Sequence, residues 1–162
     1  MKYPDIAEEI IEMSKEDRRV REEFYGQSNP NHRVYAEFVQ PVDEKNHQRM
    51  VEIVERIGYP TISKVGKEAS FETWLIIQHY SRDDFQKKCL KLMEEDPSDV
   101  DPQNIAYLKD RILAFAGKKQ IYGTQWRENP ETKKLELFEV EDPENLNKRR
   151  SIVGLKPIDE NV

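Results

Sequence analysis

The chain has 162 residues, of which 36% are charged and 36% are hydrophobic. A chain of this length can bury a core without disulfide bonds, and its charge content fits the solvated face of a soluble helical domain. The formal net charge is −6, and the Lys and Arg residues are interleaved with acids. This pattern argues against a nucleic-acid partner, because phosphate binding needs a basic stripe.

The first predicted helix covers residues 5–25, and Gly26 follows as its stop. Residues 1–40 are predicted to be the most detachable part of the chain, because their charge density is high and their periodic signal ends at a loop that contains proline. The apolar residues of this helix recur at helical spacing on one stripe, and they are Ile6, Ile10, Met13, Val20 and Phe24.

Further apolar periodicity predicts more helices along the chain, without an internal repeat or a long linker. Asp101 is the expected cap of the helix that follows it. β-Favouring residues on both sides of a turn predict one hairpin within about residues 120–140. The fold class is therefore mainly α, a single-domain helical bundle of about six helices with one small β-hairpin. The later helices are predicted at residues 42–57, 67–80, 85–95, 105–116 and 143–153.

The single cysteine, Cys89, cannot form an internal disulfide and lies in an amphipathic run, so we predict a small core residue. The first ten residues contain no apolar signal core. No run of about 18 apolar residues occurs, and a cytoplasmic protein without a membrane partner is expected.

Gln78 and His79 form a polar pair near the end of the third predicted helix. His79 shares the apolar stripe of Phe71 and Leu75, so its ring should be partly buried. Such a histidine can be a core residue with satisfied hydrogen bonds. It can equally be a general acid or base, because imidazole titrates near neutrality.

Asp110 and Arg111 lie in the middle of the fifth predicted helix. Asp110 points away from the main apolar stripe, toward a side that is also apolar. If both sides are covered, Asp110 is a buried carboxylate that must be paired or protonated. We weigh an ion pair with Arg149 or Arg150 equally against a catalytic role.

The segment from Gln120 to Gln125 follows the least polar helix. Gly123 permits close backbone approach, and the side chains around it offer hydroxyl and amide groups that could orient a polar ligand. The alternative is a β-bulge whose polar residues alternate outward. The predicted ligand-binding residues of this segment are Gln120, Tyr122, Gly123, Thr124 and Gln125.

Arg149 and Arg150 on the last helix could hold a carboxylate or a phosphate through bidentate hydrogen bonds, although exposed helical arginines are common. Asp43 and His47 lie four residues apart and could join His79 at a metal. The chain has three histidines and no His-x-x-x-His pair. We therefore predict no metal and no cofactor.

Several short motifs follow one another along the chain in a fixed order. They are Asp43 with Asn46, Gly58-Tyr59-Pro60, Gln78-His79, Tyr107 to Arg111, Gly117 to Gln125, and Arg149-Arg150 with Gly154-Leu155. Their order resembles an uncharacterised, mainly bacterial family, the domain of unknown function 6624, over about residues 42–157. The family has no assigned activity, so the resemblance implies one shared polar site without a reaction, and it adds Asn46 to the expected site. The chain departs from the family pattern at Asn147, where an acid is more usual, and lacks the aromatic ending after Gly-Leu-x-Pro.

The leading functional hypothesis is a metal-independent hydrolase or group-transfer enzyme that acts on a polar or anionic small molecule or peptide. His79 and Asp110 would perform the acid–base chemistry. A non-catalytic binding, immunity-type or regulatory protein with a structural polar network is the alternative. We expect a monomer or a weak homodimer. The predicted substrate-binding residues are Asn46, Gln78, Arg111, Gln120, Tyr122, Gly123, Thr124, Gln125, Arg149 and Arg150.

Overall fold

The computed structural model describes residues 1–27, 31–80 and 83–158. It is mainly α-helical with one small antiparallel hairpin, which confirms the predicted fold class. The chain forms two compact units, Met1–Met93 and Glu94–Val162. In the described residues, no helix combines the length and the apolar character needed to cross a membrane.

The helices of the first unit follow the predicted order. A π-helical turn, Tyr35–Val39, leads into the helix Gln40–Ile57, which starts two residues before the predicted helix at 42–57. The helix Ile62–His79 is interrupted by non-helical backbone at Gly66 (φ 84°, ψ 164°). Its longer regular part therefore follows Gly66 and agrees with the predicted start at residue 67. The helices are α1 (Pro4–Tyr25), α2 (His32–Val34), α3 (Gln40–Ile57), α4 (Ile62–His79) and α5 (Asp83–Glu95).

The core of the first unit forms where α1 packs against α3 and α4. Residues 1–40, predicted as the most detachable part, contribute α1 to this core. The backbone N–H groups of Lys2 and Tyr3 also donate to the Lys64 carbonyl, at 2.9 and 2.8 Å. Each large apolar side chain buried in this way contributes about 1.5–3 kcal/mol to stability. The most deeply buried include Ile10, Met50, Ile53, Val65, Cys89 and Met93, so the predicted core position of Cys89 is confirmed.

The second unit contains α6 (Pro102–Phe115), the strands β1 (Trp126–Glu128) and β2 (Leu135–Leu137), and α7 (Leu146–Ile152). The Asp101 side chain accepts a hydrogen bond from the Gln103 N–H at 2.9 Å, which confirms the predicted cap. The two strands pair antiparallel, with Trp126 opposite Leu137. They lie inside the predicted hairpin interval, and α7 lies inside the predicted last helix.

Candidate functional site

Five polar side chains meet inside the first unit, where α1, α3 and α4 face one another. We call this group the His79 cluster. Its members come from segments far apart in the chain, so only the folded unit assembles it. They are Asp17 and Arg21 from α1, Tyr35 from the π-helical turn, Asp43 from α3 and His79 from the end of α4.

The centre of the cluster is a contact between His79 and Asp17. The distance between His79 Nδ1 and Asp17 Oδ2 is 2.7 Å. An unprotonated ring nitrogen and a carboxylate oxygen would repel at this distance, so a hydrogen lies between them, and we place it on Nδ1. The single hydrogen on Arg21 Nε, 3.0 Å from Nδ1 and 3.1 Å from Asp17 Oδ1, is then donated to Asp17.

Asp43 closes the other side of the cluster. Arg21 Nη2 donates to Asp43 Oδ1, and the Tyr35 hydroxyl donates to Asp43 Oδ2 at 2.7 Å. Burial raises the pKa of the Asp43 carboxyl above its ordinary value, against the opposing effects of the Tyr35 hydrogen bond and the Arg21 charge. Burial alone would lower the pKa of Arg21. A hydrogen bond to Tyr35 and the nearby carboxylates of Asp17 and Asp43 have the larger combined effect, so the pKa of Arg21 is raised above its ordinary value.

Burial makes this cluster costly to break. The side chains of Asp17 and Asp43 are 1% and 5% exposed, and they share one guanidinium. Removing one partner of a buried ion pair leaves an uncompensated charge, which typically costs about 3–5 kcal/mol. The His79 ring is 26% exposed, and within the described residues no group hydrogen-bonds to its Nε2. The cluster therefore holds one edge of the imidazole and leaves the other edge available.

Asp17, Arg21 and Tyr35 were not among the site residues predicted from the sequence. A signal for two of them exists in α1, because polar residues occupy helical positions between two buried apolar residues. From Ile10 onward the intervals are four, three, four and three residues, which keeps all five on one face of the helix. This series is Ile10, Ser14, Asp17, Arg21 and Phe24.

The faces of α1 and α4 that pack against each other carry a second buried charge. Glu72 of α4 is 7% exposed and accepts hydrogen bonds from Arg18 Nη2 at 2.8 and 2.7 Å. The buried Ser14 hydroxyl also donates to Glu72. Polar contacts thus extend along the α1–α4 interface beyond the His79 cluster.

Two further predicted residues, Asn46 and Gln78, are buried in the first unit. Asn46 Nδ2 lies 3.5 Å from the Met13 carbonyl, a long contact between α3 and α1. Gln78 is 7% exposed, and among the described residues its Nε2 has no hydrogen-bond partner. Gln78 therefore retains an unused donor beside His79 in sequence.

The metal arrangement considered from the sequence involves Asp43, His47 and His79. Asp43 is held by Arg21 and Tyr35. The His47 ring stacks on the Tyr80 ring, with 4.4 Å between centroids. In the described part of the chain, no group of three or more His, Cys, Asp and Glu side chains is arranged to hold a metal.

Asp110 organises a different site, inside the second unit. It is 0% exposed, as expected if both sides of its helix are covered. Its Oδ1 accepts from the N–H groups of Ile121 and Tyr122, at 2.7 and 3.1 Å. Its Oδ2 accepts from the Thr124 N–H and hydroxyl, both at 3.0 Å, and from the Tyr122 N–H at 3.1 Å. The carboxylate therefore binds the backbone of the loop after α6, and these donors surround it in place of the arginine that one of the two alternatives assigned to it.

Gln120 holds the same loop from within. Its side chain is fully buried and donates to the carbonyls of Gln125 and Phe138, at 3.0 and 2.9 Å. Its Oε1 accepts from the Gln125 N–H at 2.9 Å. Gly123 has φ 64°, and a Cβ there would lie 3.2 Å from the Ile158 side chain. Glycine is needed at this position for both its conformation and the close packing.

The two neighbouring arginines of α7 bind backbone carbonyls of the second unit. Arg149 Nε donates to the Ile121 carbonyl at 2.8 Å. Arg150 Nη1 donates to the Tyr122 carbonyl at 2.6 Å, and burial lowers the pKa of Arg150. Arg111 of α6 packs over the Phe115 ring, 4.9 Å from its centroid. The loop and α7 are thus joined by hydrogen bonds in which both arginines take part.

The structure therefore divides the predicted site residues between the two units. Asn46, Gln78 and His79 belong to the first unit. Within the second unit, Asp110, the loop after α6 and the arginine pair lie together. Its members are Asp110, Arg111, Gln120, Tyr122, Gly123, Thr124, Gln125, Arg149 and Arg150.

Comparison with known proteins supplies a family and no function. No curated protein and no solved structure matches the chain significantly. A family described as a family of unknown function (DUF6624) matches residues 4–162. The match confirms the resemblance seen in the motifs and extends it to α1, which carries Asp17 and Arg21. The chain belongs to the DUF6624 family.

Proposed function

We propose that the protein is an acid–base enzyme, a hydrolase or group-transfer catalyst, in which Asp17 orients His79. The observation that carries this proposal is the 2.7 Å contact between His79 Nδ1 and Asp17 Oδ2. A carboxylate bound to one imidazole nitrogen fixes the ring and its tautomer, and it stabilises the positive charge that forms when the other nitrogen accepts a proton.

The proposed chemistry uses His79 Nε2 as the reacting atom. In the neutral ring, Nε2 carries a lone pair and takes a proton from water or from a substrate hydroxyl, which then attacks the substrate. The imidazolium returns the proton to the leaving group, so the ring ends the cycle neutral. A positioned acid–base group of this kind contributes about 10²–10⁴-fold to the rate.

Arg21 supports a polar or anionic substrate. Its Nε and Nη2 are engaged by Asp17 and Asp43. A guanidinium has five N–H donors, and the Arg21 side chain is 15% exposed. Arg21 also hydrogen-bonds to Tyr35, and the N–H groups that remain are the donors we assign to a polar or anionic group of a substrate next to His79.

The contacts of Asp110 favour a structural role. Backbone and hydroxyl donors surround its carboxylate, so we do not assign it to the acid–base step. Within the second unit, this satisfied network also supports the alternative hypothesis, a non-catalytic binding or regulatory protein. The two hypotheses differ in whether an intact His79–Asp17 pair is needed to convert a compound.

The test is an untargeted conversion assay. Wild-type protein, H79Q and D17N are each incubated with a cellular metabolite extract and with a peptide mixture, and consumed and formed compounds are measured by mass spectrometry. H32Q is the matched control, because His32 is exposed on α2 and lies outside the cluster. Circular dichroism confirms that each variant is folded.

The proposal predicts a compound that wild type and H32Q convert and that H79Q converts at least about 10²-fold more slowly. Conversion by folded H79Q at the wild-type rate would contradict it. A compound retained unchanged by wild type and H79Q alike, without any conversion, would support the binding protein instead.

A further inference from the structure

The second unit has a concave surface that the His79 proposal does not use. It is a groove of about 260 Å³ between the end of α6 and the segment after β2. We call it the basic groove. Its lining consists of Ala114, Gly117, Lys118, Lys119, Arg127, Phe138 and Glu139.

Positive charge dominates the basic groove, although the chain as a whole carries a net charge of −6. Glu139 is the one acid in its lining, and it lies 3.4 Å from Lys119 Nζ. Within the described residues, Lys118 and Arg127 make no ion pair. Two cations therefore line the groove without an ion pair in the described residues, and the nearest cross-strand acid of Arg127 is Glu136, opposite it in the hairpin.

The walls of the groove are fixed by contacts inside the second unit. The Gln120 N–H donates to the Glu139 carbonyl at 2.9 Å and joins the two sides. The Lys118 N–H donates to the Leu113 carbonyl at 2.9 Å, so this carbonyl near the end of α6 has a hydrogen-bond partner. The Arg127 guanidinium lies 5.3 Å from the centroid of the Phe138 ring. A cation held on an aromatic face loses less freedom when it binds a ligand.

We propose that the basic groove binds a small compound carrying a doubly charged anionic group, a phosphate ester. Arg and Lys side chains together suit phosphate, because the guanidinium offers paired donors and the ammonium adds a point charge. The volume lies just below the usual range of about 300–1,000 Å³ for drug-sized ligands. It therefore favours a small ligand. This inference is independent of the His79 proposal.

Titration of isotopically labelled full-length protein tests the inference. Inorganic phosphate, glycerol 3-phosphate and succinate are added separately at low ionic strength, and backbone amide shifts are followed by NMR. The variants R127Q and K118Q each remove one cation from the groove. K148Q removes an equal charge from α7, outside the groove, and R127K retains charge while losing the paired donors.

We expect saturable shifts at residues 117–119, 127 and 138–139 with both phosphate compounds. Affinity should fall about tenfold in R127Q and in K118Q, because each loses a charge-assisted contact, and it should stay unchanged in K148Q. R127K should bind at an intermediate level. Binding should also weaken as salt is added.

Three results would overturn the inference. The first is the absence of saturable shifts at these residues with either phosphate compound. The second is an equal loss of affinity in R127Q and K148Q, which would indicate attraction by overall charge. The third is tighter binding of succinate than of glycerol 3-phosphate, which would reject the phosphate ester.

Discussion

Replacing Asp110 by Asn tests whether this carboxylate stabilises the loop or performs chemistry. The side chain is 0% exposed, and both oxygens accept hydrogen bonds from the loop. An amide presents one oxygen and one NH₂ group. In either orientation of the amide, the N–H of Ile121 or of Thr124 faces another donor, and the charge that strengthens the remaining bonds is lost.

The expected cost follows from these losses. One orphaned buried N–H costs about 1–3 kcal/mol, and the remaining charge-assisted bonds weaken as well. We therefore expect D110N to lower the free energy of unfolding by about 3 kcal/mol. For a chain of this size, this corresponds to a fall in Tm of roughly 6–12 °C.

Thermal and urea unfolding, followed by circular dichroism, measure the effect. Hydrogen exchange should accelerate most at the amides of Ile121, Tyr122 and Thr124. T124V is the control, because it keeps the N–H and removes only the hydroxyl, with its contacts to Asp110 at 3.0 Å and to Gln125 Nε2 at 3.1 Å, which should cost about 1–2 kcal/mol. A change of less than about 0.5 kcal/mol in D110N would show that the carboxylate does not stabilise the loop. It would favour a catalytic Asp110, since active-site residues are often not optimised for stability.

Three further predictions concern buried groups. Burial raises the pKa of Cys89 to about 12, so only about 10⁻⁴ of the thiol is ionised at pH 8. A disulfide reagent should therefore modify Cys89 in urea and not in the folded protein. Rapid modification of the folded protein would contradict this expectation. Because the pKa of Asp43 is raised in the folded protein, its contribution to stability is full below its ordinary pKa of 3.8 and is lost as pH rises through the folded pKa. D43N should remove this pH dependence from urea unfolding curves, and parallel curves for D43N and wild type would argue against it. Q120L removes the side-chain partner of the Gln125 N–H and of the Phe138 carbonyl, while the Gln125 carbonyl keeps the Phe138 N–H. It should cost about 2–4 kcal/mol in urea unfolding. A variant as stable as wild type would show that the side chain does not hold the loop.

The sequence predicts the helices well because they depend on local signals. Apolar periodicity and the stop at Gly26 place α1, and Asp101 caps α6 at the expected position. The buried position of Asp110 could also be predicted, from the apolar residues on both sides of its helix. These inferences need no knowledge of which segments meet in the folded chain.

The partners of the buried polar groups could not be predicted in the same way. Asp110 binds N–H groups whose direction depends on the loop conformation, including the positive φ of Gly123. Asp17 meets His79 across 62 positions of the chain, and α1 contains many other charged residues of similar appearance. Helical spacing places Asp17 on the same face as the buried Ile10 and Phe24, but only packing of α1 against α4 identifies His79 as its partner.

The most direct test of the central claim is the tautomer of His79. Long-range proton–nitrogen NMR correlations of the labelled protein, recorded where the ring is neutral, distinguish a hydrogen on Nδ1 from one on Nε2. We expect a protonated Nδ1 that donates to Asp17 and an unprotonated Nε2 that can accept a proton. A hydrogen on Nε2, with Nδ1 accepting from Arg21, would contradict the proposed acid–base role.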